Sequence, residues 1–192
     1  TKSPRGTAPS ASSTMCPMYN MLHSQIKAFA NTTEGEFQGF VGYSADHNAA
    51  IVAIRGTSNF VTWFVNINKT SAEVPYPKCD GCTVNGELYN IYLEMSALVK
   101  AQVQFILSKY RNAAIYVTGH GVGGALAALA AADIKTTFGR VDLFYSYGQP
   151  RLGNRNFALY SQSIMLIYRV IHYADIGPQV PHLTTPEYMH GG

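Results

Sequence analysis

Apolar residues return at helical spacing over residues 87–110, through Leu88, Ile91, Met95, Leu98 and Val99, Val103, Ile106 and Leu107. That stripe predicts an amphipathic helix. Two β-rich runs, 36–44 and 49–55, come before it and are separated by Ala45-Asp46-His47-Asn48; together they read as a hairpin. Residues 60–67 form a short, very apolar segment that contains the sole tryptophan, Trp63. After the long helix, the pattern predicts a strand over 113–118, an alanine-rich helix over 122–138 and a strand over 141–147. A helix over 156–163 and a strand over 165–172 follow, with Asp175 in the turn beyond. Strands alternating with helices imply a largely parallel sheet, here with an antiparallel hairpin on its N-terminal side. The expected fold class is α/β.

A length of 192 residues suits one domain large enough to bury a core. Residues 1–15, rich in Ser, Thr, Pro and Ala, read as a linker or processing remnant, and 16–192 as one domain. Apolar content of 47% against 13% charged residues excludes a disordered chain. The net charge of +3 comes without a basic run, so nucleic acid is not an expected partner. No apolar run reaches the length of a membrane-spanning helix. Asn31-Thr32-Thr33 and Asn68-Lys69-Thr70 are acceptor sequons, relevant in a secretory lumen. Cys79-Asp80-Gly81-Cys82 is open to three readings: a zinc half-site, a redox motif or a tight disulfide. Zinc needs a second ligand pair at suitable spacing, and a redox motif needs to open a helix after a strand. The setting among Pro75, Pro77 and Gly81 favours the disulfide, which leaves Cys16 without a partner. No metal or cofactor is expected.

The chemistry concentrates in VTGHGVGGALAALAAAD, residues 117–133. An apolar strand feeds a glycine-flanked turn, and a helix starts at once. This is the context of the nucleophile elbow, Gly-x-Ser-x-Gly, which lifts a hydroxyl to the top of an α/β sheet. The middle position here is Gly121. The same residues also fit G-x-G-x-x-G, the dinucleotide fingerprint, which wants an acidic side chain about 20 residues on, at the end of the next strand. Asp142 has the distance but sits near the start of its strand. On the hydrolase reading, Thr57 at the end of IVAIRGT (51–57) and the amide of Val122 would form an oxyanion hole. Asp175 takes the acid's place in the Ser…Asp…His order.

Five segments in register, IVAIRGT, Cys79-Asp80-Gly81-Cys82, VTGHGVGGALAALAAAD, YSYGQPRLGN and RVIHYADIGP, resemble the fungal-type (class 3) triacylglycerol lipase family. The resemblance runs over residues 36–190. It implies an α/β-hydrolase fold, secretion, and Ser–His–Asp hydrolysis of glyceride esters at an oil–water interface. It also implies a lid directly after the oxyanion turn, carried by Phe60, Trp63 and Phe64. Three departures stand out. The family's Gly-His-Ser-Leu-Gly-Gly is here Gly119-His120-Gly121-Val122-Gly123-Gly124, and without a hydroxyl no acyl-enzyme forms. In the family the catalytic histidine follows the aspartate by some tens of residues, and the sequence stops at Gly192, so the domain is expected to be incomplete at its C-terminal side. His190 and His182 are the candidates for the base. Asn85 stands where many members have histidine. The reading is a secreted lipase or esterase scaffold without its nucleophile; a non-catalytic lipid- or fatty-acid-binding protein and a dinucleotide-binding module are the alternatives.

Overall fold

The computed structural model describes residues 27–30, 37–57, 73–181 and 188–190. Cys16, Asn31, Phe60, Trp63, Phe64, Asn68 and His182 lie outside the described residues.

The hairpin forms as its pattern predicts. Strand β2 (Gln38–Ser44) pairs antiparallel with β3 (Ala49–Ile54), with Gly42 opposite Ile51. Asn48 closes the turn at φ 44°, a left-handed conformation that asparagine tolerates, and its side chain accepts from the Tyr43 hydroxyl at 2.8 Å. The sheet also has an outer strand that the sequence pattern did not show, β1 (Lys27–Ala30), antiparallel to β2. On the other side of β3 the sheet turns parallel: β6 (Ala114–His120), β7 (Leu143–Tyr147) and β9 (Ile167–Val170) follow in that order. A second, small sheet was likewise unforeseen. It is built of β4 (Glu73–Pro75), β5 (Thr83–Asn85), β8 (Gly153–Asn154) and β10 (Tyr188–Met189), in the order β10-β8-β5-β4. Cys79 and Cys82 are joined by a disulfide within the β4–β5 connection.

Helix α1 (Gly86–Lys109) buries Leu88, Met95, Val99, Val103 and Ile106 of the stripe read from spacing, together with Tyr92, which that stripe did not include; Ile91 and Leu107 are half-buried. Leu98, counted with that stripe, is instead exposed, because it lies beyond the face that meets the core. Helix α2 (Val122–Phe138) is almost wholly buried between the sheet and α1, which its alanines permit: small side chains let two layers approach. Asp133 ties the two helices together, accepting from the Tyr92 hydroxyl at 2.7 Å and from the Lys100 ammonium at 2.8 Å. Burial, together with the Asp133 charge, pushes the Tyr92 phenol above its ordinary range, so it stays a donor. Helix α3 (Arg155–Ile164) starts at Asn154, whose side chain accepts from the Phe157 amide. Phe157 packs edge-on against Tyr76, joining the small sheet to the core. No helix among the described residues is long and apolar enough to cross a membrane. Layers of helix on a mainly parallel sheet with an antiparallel margin make this an α/β fold.

Asn85, which had no assigned role, is the N-cap of α1. It is 1% exposed, and its Oδ1 accepts from the Leu88 amide at 3.0 Å. Asn85→Ala is expected to lower stability by about 1–2 kcal/mol, read as a lower urea midpoint, whereas Asn85→Asp keeps the acceptor and most of that stability. An alanine variant that unfolds with the parent would remove the cap from this account.

His190, just beyond β10, donates from Nε2 to the Pro178 carbonyl at 2.8 Å and has its other ring nitrogen buried without a partner. Burial, with Arg169 and Arg151 nearby, pushes it down from 6.5 to about 4, even though the Pro178 bond favours the charged form. Between those two values the unfolded chain binds the extra proton and the folded chain does not. Stability is therefore fully present above about pH 6.5 and is lost as pH falls toward 4. Urea midpoints measured from pH 7 to pH 4 should fall less steeply for His190→Gln than for the parent, and parallel curves would contradict the assignment.

Candidate active site

Four strands of the parallel region end at the same level. Ile54 of β3 is opposite Gly119 of β6, Gly119 is opposite Ser146 of β7, and Ser146 is opposite Arg169 of β9. The turns that leave these strands therefore emerge side by side at their carboxyl ends, where open α/β sheets bind ligands. They enclose a cavity of about 270 Å³ lined by Thr57, His120, Gly121, Val122, Gly148, Pro150, Asp175 and Gly177. Thr57, Gly121, Val122 and Asp175, singled out along a span of more than a hundred residues, thus meet in one place.

Gly121 sits at φ 57° and ψ −128°, a region that side-chain-bearing residues seldom occupy. Its amide donates to the Tyr147 carbonyl at 2.8 Å, which fixes the bend to the end of β7. A Cβ placed on Gly121 would meet no atom within 4 Å, so a side chain there would extend into open space. Val122 opens α2, at a position whose N–H has no acceptor within the helix. The bend is held close to β3 by Gly123: a Cβ there would come within 2.5 Å of the Arg55 carbonyl carbon and would also strike the Ile54 oxygen. Thr57, two residues beyond Arg55, lines the cavity together with Val122.

Asp175 is half-buried. Its amide donates to the His172 carbonyl at 2.8 Å, and its Oδ1 accepts from the Gly177 amide at 2.9 Å. Its Oδ2 is turned toward Gly148, 2.5 Å from where a Cβ on that glycine would lie; His120 Nε2 lies 3.6 Å from the same point. The two groups are separated by no more than the sum of those distances. His120 was not among the candidate residues, although it directly precedes Gly121 in the motif that was. It also lines a second, mainly apolar cavity of about 600 Å³ with Phe40, Ala53, Ile54, Thr118 and Tyr147.

The structure does not bring His190 into this arrangement. Its Nε2 is held by Pro178, the ring does not line the cavity, and no hydrogen bond among the described residues joins it to Asp175. His182 lies outside the described residues. The dinucleotide reading loses its ribose partner, because Asp142 Oδ2 accepts from the Ile115 amide at 2.8 Å, at the amino end of β6. That is the opposite end of the sheet from Gly121.

The class 3 lipase family model matches residues 51–185. The chain is 34% identical over 171 residues to secreted mono- and diacylglycerol lipase 1 of Fusarium solani, a match over 82% of this chain and 50% of that protein. The lipase from Rhizopus microsporus var. chinensis superposes with a TM-score of 0.79 at 30% identity, over 85% of this chain and 57% of that one. A triacylglycerol lipase described as having a serine protease triad as its catalytic centre gives 0.81 at 27% identity, over 90% and 65%. The chain spans about half the length of the Fusarium relative. With a family model matching most of its length, and with the elbow turn, the post-strand aspartate and the threonine turn converging on one cavity, the chain belongs to the class 3 lipase family.

Proposed function

We propose that this chain is a secreted lipase-family protein in which the acyl-enzyme route of ester hydrolysis is closed. Gly121 occupies the nucleophile position, Asp175 the position of the triad acid, and Thr57 with the Val122 amide that of the oxyanion hole. The observation that carries the reading is the convergence of these four on one cavity, with glycine at the corner. A serine hydrolase that loses its nucleophile keeps only about one part in 10⁶ of its turnover. Secretion is supported by the names of relatives such as the Fusarium lipase and by the two sequons. The substrate class is a lipid or acyl ester presented at an oil–water interface.

A second reading, retention of a lipid or fatty acid without cleavage, is favoured by the apolar cavity of about 600 Å³ that shares His120 with the smaller one. An acyl chain buried there would gain about 0.8 kcal/mol per methylene. Displacement of a fluorescent fatty acid by an unlabelled one, without release of product from its ester, would support this reading.

The closed route is tested by intact-mass analysis after exposure to a fluorophosphonate or a nitrophenyl ester. No covalent adduct and no burst of nitrophenolate are expected, and an adduct on the chain would overturn the reading. Gly121→Ser should keep the fold, since the added side chain has room, but it takes on the strain of the positive φ, about 1–3 kcal/mol. For a chain of this size each kcal/mol corresponds to about 2–4 °C in Tm. An unchanged or raised Tm would show that the corner is not strained.

A further inference from the structure

We propose that Arg151 is a positioning residue: it ties the turn that carries Asp175 to the turn that carries Gly148, and so fixes where the Asp175 carboxylate stands in the cavity. The inference rests on the reading that Asp175 occupies the position of the triad acid. Asp175 takes its orientation from the Gly177 amide, which donates to Oδ1 at 2.9 Å. Gly177 opens a single short helical turn, Gly177–Gln179. Within this segment Gln179 donates to the Ile176 carbonyl at 2.9 Å and Val180 to the Gly177 carbonyl at 3.3 Å. The carbonyls from Pro178 to Pro181 all accept from groups outside the segment. Pro178 accepts from His190 Nε2 at 2.8 Å, and Val180 from the Arg151 amide at 2.8 Å. Gln179 and Pro181 both accept from Arg151 Nη1, at 2.9 and 2.6 Å.

Among the described residues no carboxylate lies within ion-pair distance of Arg151, and its donors go to main-chain oxygens instead. Bonds from a charged donor are stronger than those from a neutral one. The segment needs them, because prolines at 178 and 181 remove two of its amides and with them the means to hold its shape as a longer helix or a strand. Arg151 follows directly on Pro150, which lines the cavity with Gly148, Asp175 and Gly177. The two turns meet glycine to glycine: a Cβ on Gly177 would lie 2.9 Å from the Gly148 carbonyl oxygen, and one on Gly148 would lie 2.5 Å from Asp175 Oδ2. The glycines permit this contact but supply no bond across it. Among the described residues, the hydrogen bonds that cross from residues 148–151 to residues 175–181 are all made by Arg151.

The test reads the Asp175–Gly177 bond directly, by amide NMR of the isotopically labelled full chain. In the parent, the Gly177 signal should move as Asp175 takes up its proton on acidification, and the movement should be absent in Asp175→Asn. Arg151→Ala should weaken that movement and speed hydrogen exchange at Gly177 by about tenfold or more, through the loss of charge-assisted bonds. Val117, buried in the middle of β6, should keep its protection. Arg151→Lys keeps the charge without the planar fork and should lie between the two. Added methylguanidinium should restore part of the Gly177 protection to Arg151→Ala. A merely structural role would lower protection at Gly177 and Val117 alike. That result, or a Gly177 signal in Arg151→Ala that exchanges and titrates as in the parent, would overturn the inference; where the alanine variant does not fold, Arg151→Lys decides by the same signals. A Gly177 signal that titrates identically in the parent and in Asp175→Asn would instead overturn the placement of Asp175 on which the inference rests.

Discussion

The backbone contact between the end of β3 and the first turn of α2 is the constraint on which the site depends. Gly123 lies so close to Ile54 and Arg55 that any side chain would collide with main-chain atoms, which flexible neighbours cannot absorb by changing rotamer. Contact at that range fixes the height of the helix start relative to the strand end, and so the position of the Val122 amide relative to Thr57. The flush register of β3, β6, β7 and β9 then places the remaining turns at the same level. A register slip of one residue would turn every inward side chain of the slipped strand to the other face, so the buried row of Val52, Val117 and Phe144 resists it. Packing in the middle of the sheet thereby holds the geometry at its rim.

Chemistry and scaffold separate at the corner itself. The bend at residue 121 is produced by backbone forces: the Tyr147 carbonyl that takes the Gly121 amide, the start of α2, and the close packing on β3. None of these uses a side chain at 121. A hydroxyl there would be a passenger of the fold and the agent of the reaction, and removing it leaves every supporting contact in place. The same reasoning accounts for Asp175, whose orientation comes from Gly177 and His172 within its own turn rather than from a partner across the cavity. Each functional position is held locally, so one can be lost without the others drifting.

The sequence was most legible where structure is local. The hairpin around Asn48 is written in turn chemistry, and α2 begins and ends where its alanines and flanking glycines say it should. The buried stripe of α1 follows from spacing alone, although Leu98 shows that an apolar residue at an adjoining position does not by itself belong to the core face. What stayed hidden is non-local. The small sheet pairs strands of two or three residues, and Met189 meets Gly153 across a long stretch of sequence, with no periodicity to announce either partner. Asn85 is legible in retrospect, as a capping residue directly before an apolar helical stripe. His120 carries no signal of its own beside the glycines of the turn. Its nearness to Asp175 depends on how far apart β6 and the turn after β9 lie across the sheet, a distance that sequence spacing does not contain.

If the acyl-enzyme route is closed as proposed, glycine at the corner closes it differently from any residue with a side chain. Alanine would also abolish acyl transfer, but it would keep the strain of a side chain at positive φ while losing the function that strain supports. Glycine removes both together, so the exchange moves the protein along the usual opposition between stability and activity, toward stability. It also leaves open space at the corner of the cavity that Thr57, Val122 and Asp175 line. The corner still opens on a small cavity that adjoins a larger apolar one through His120.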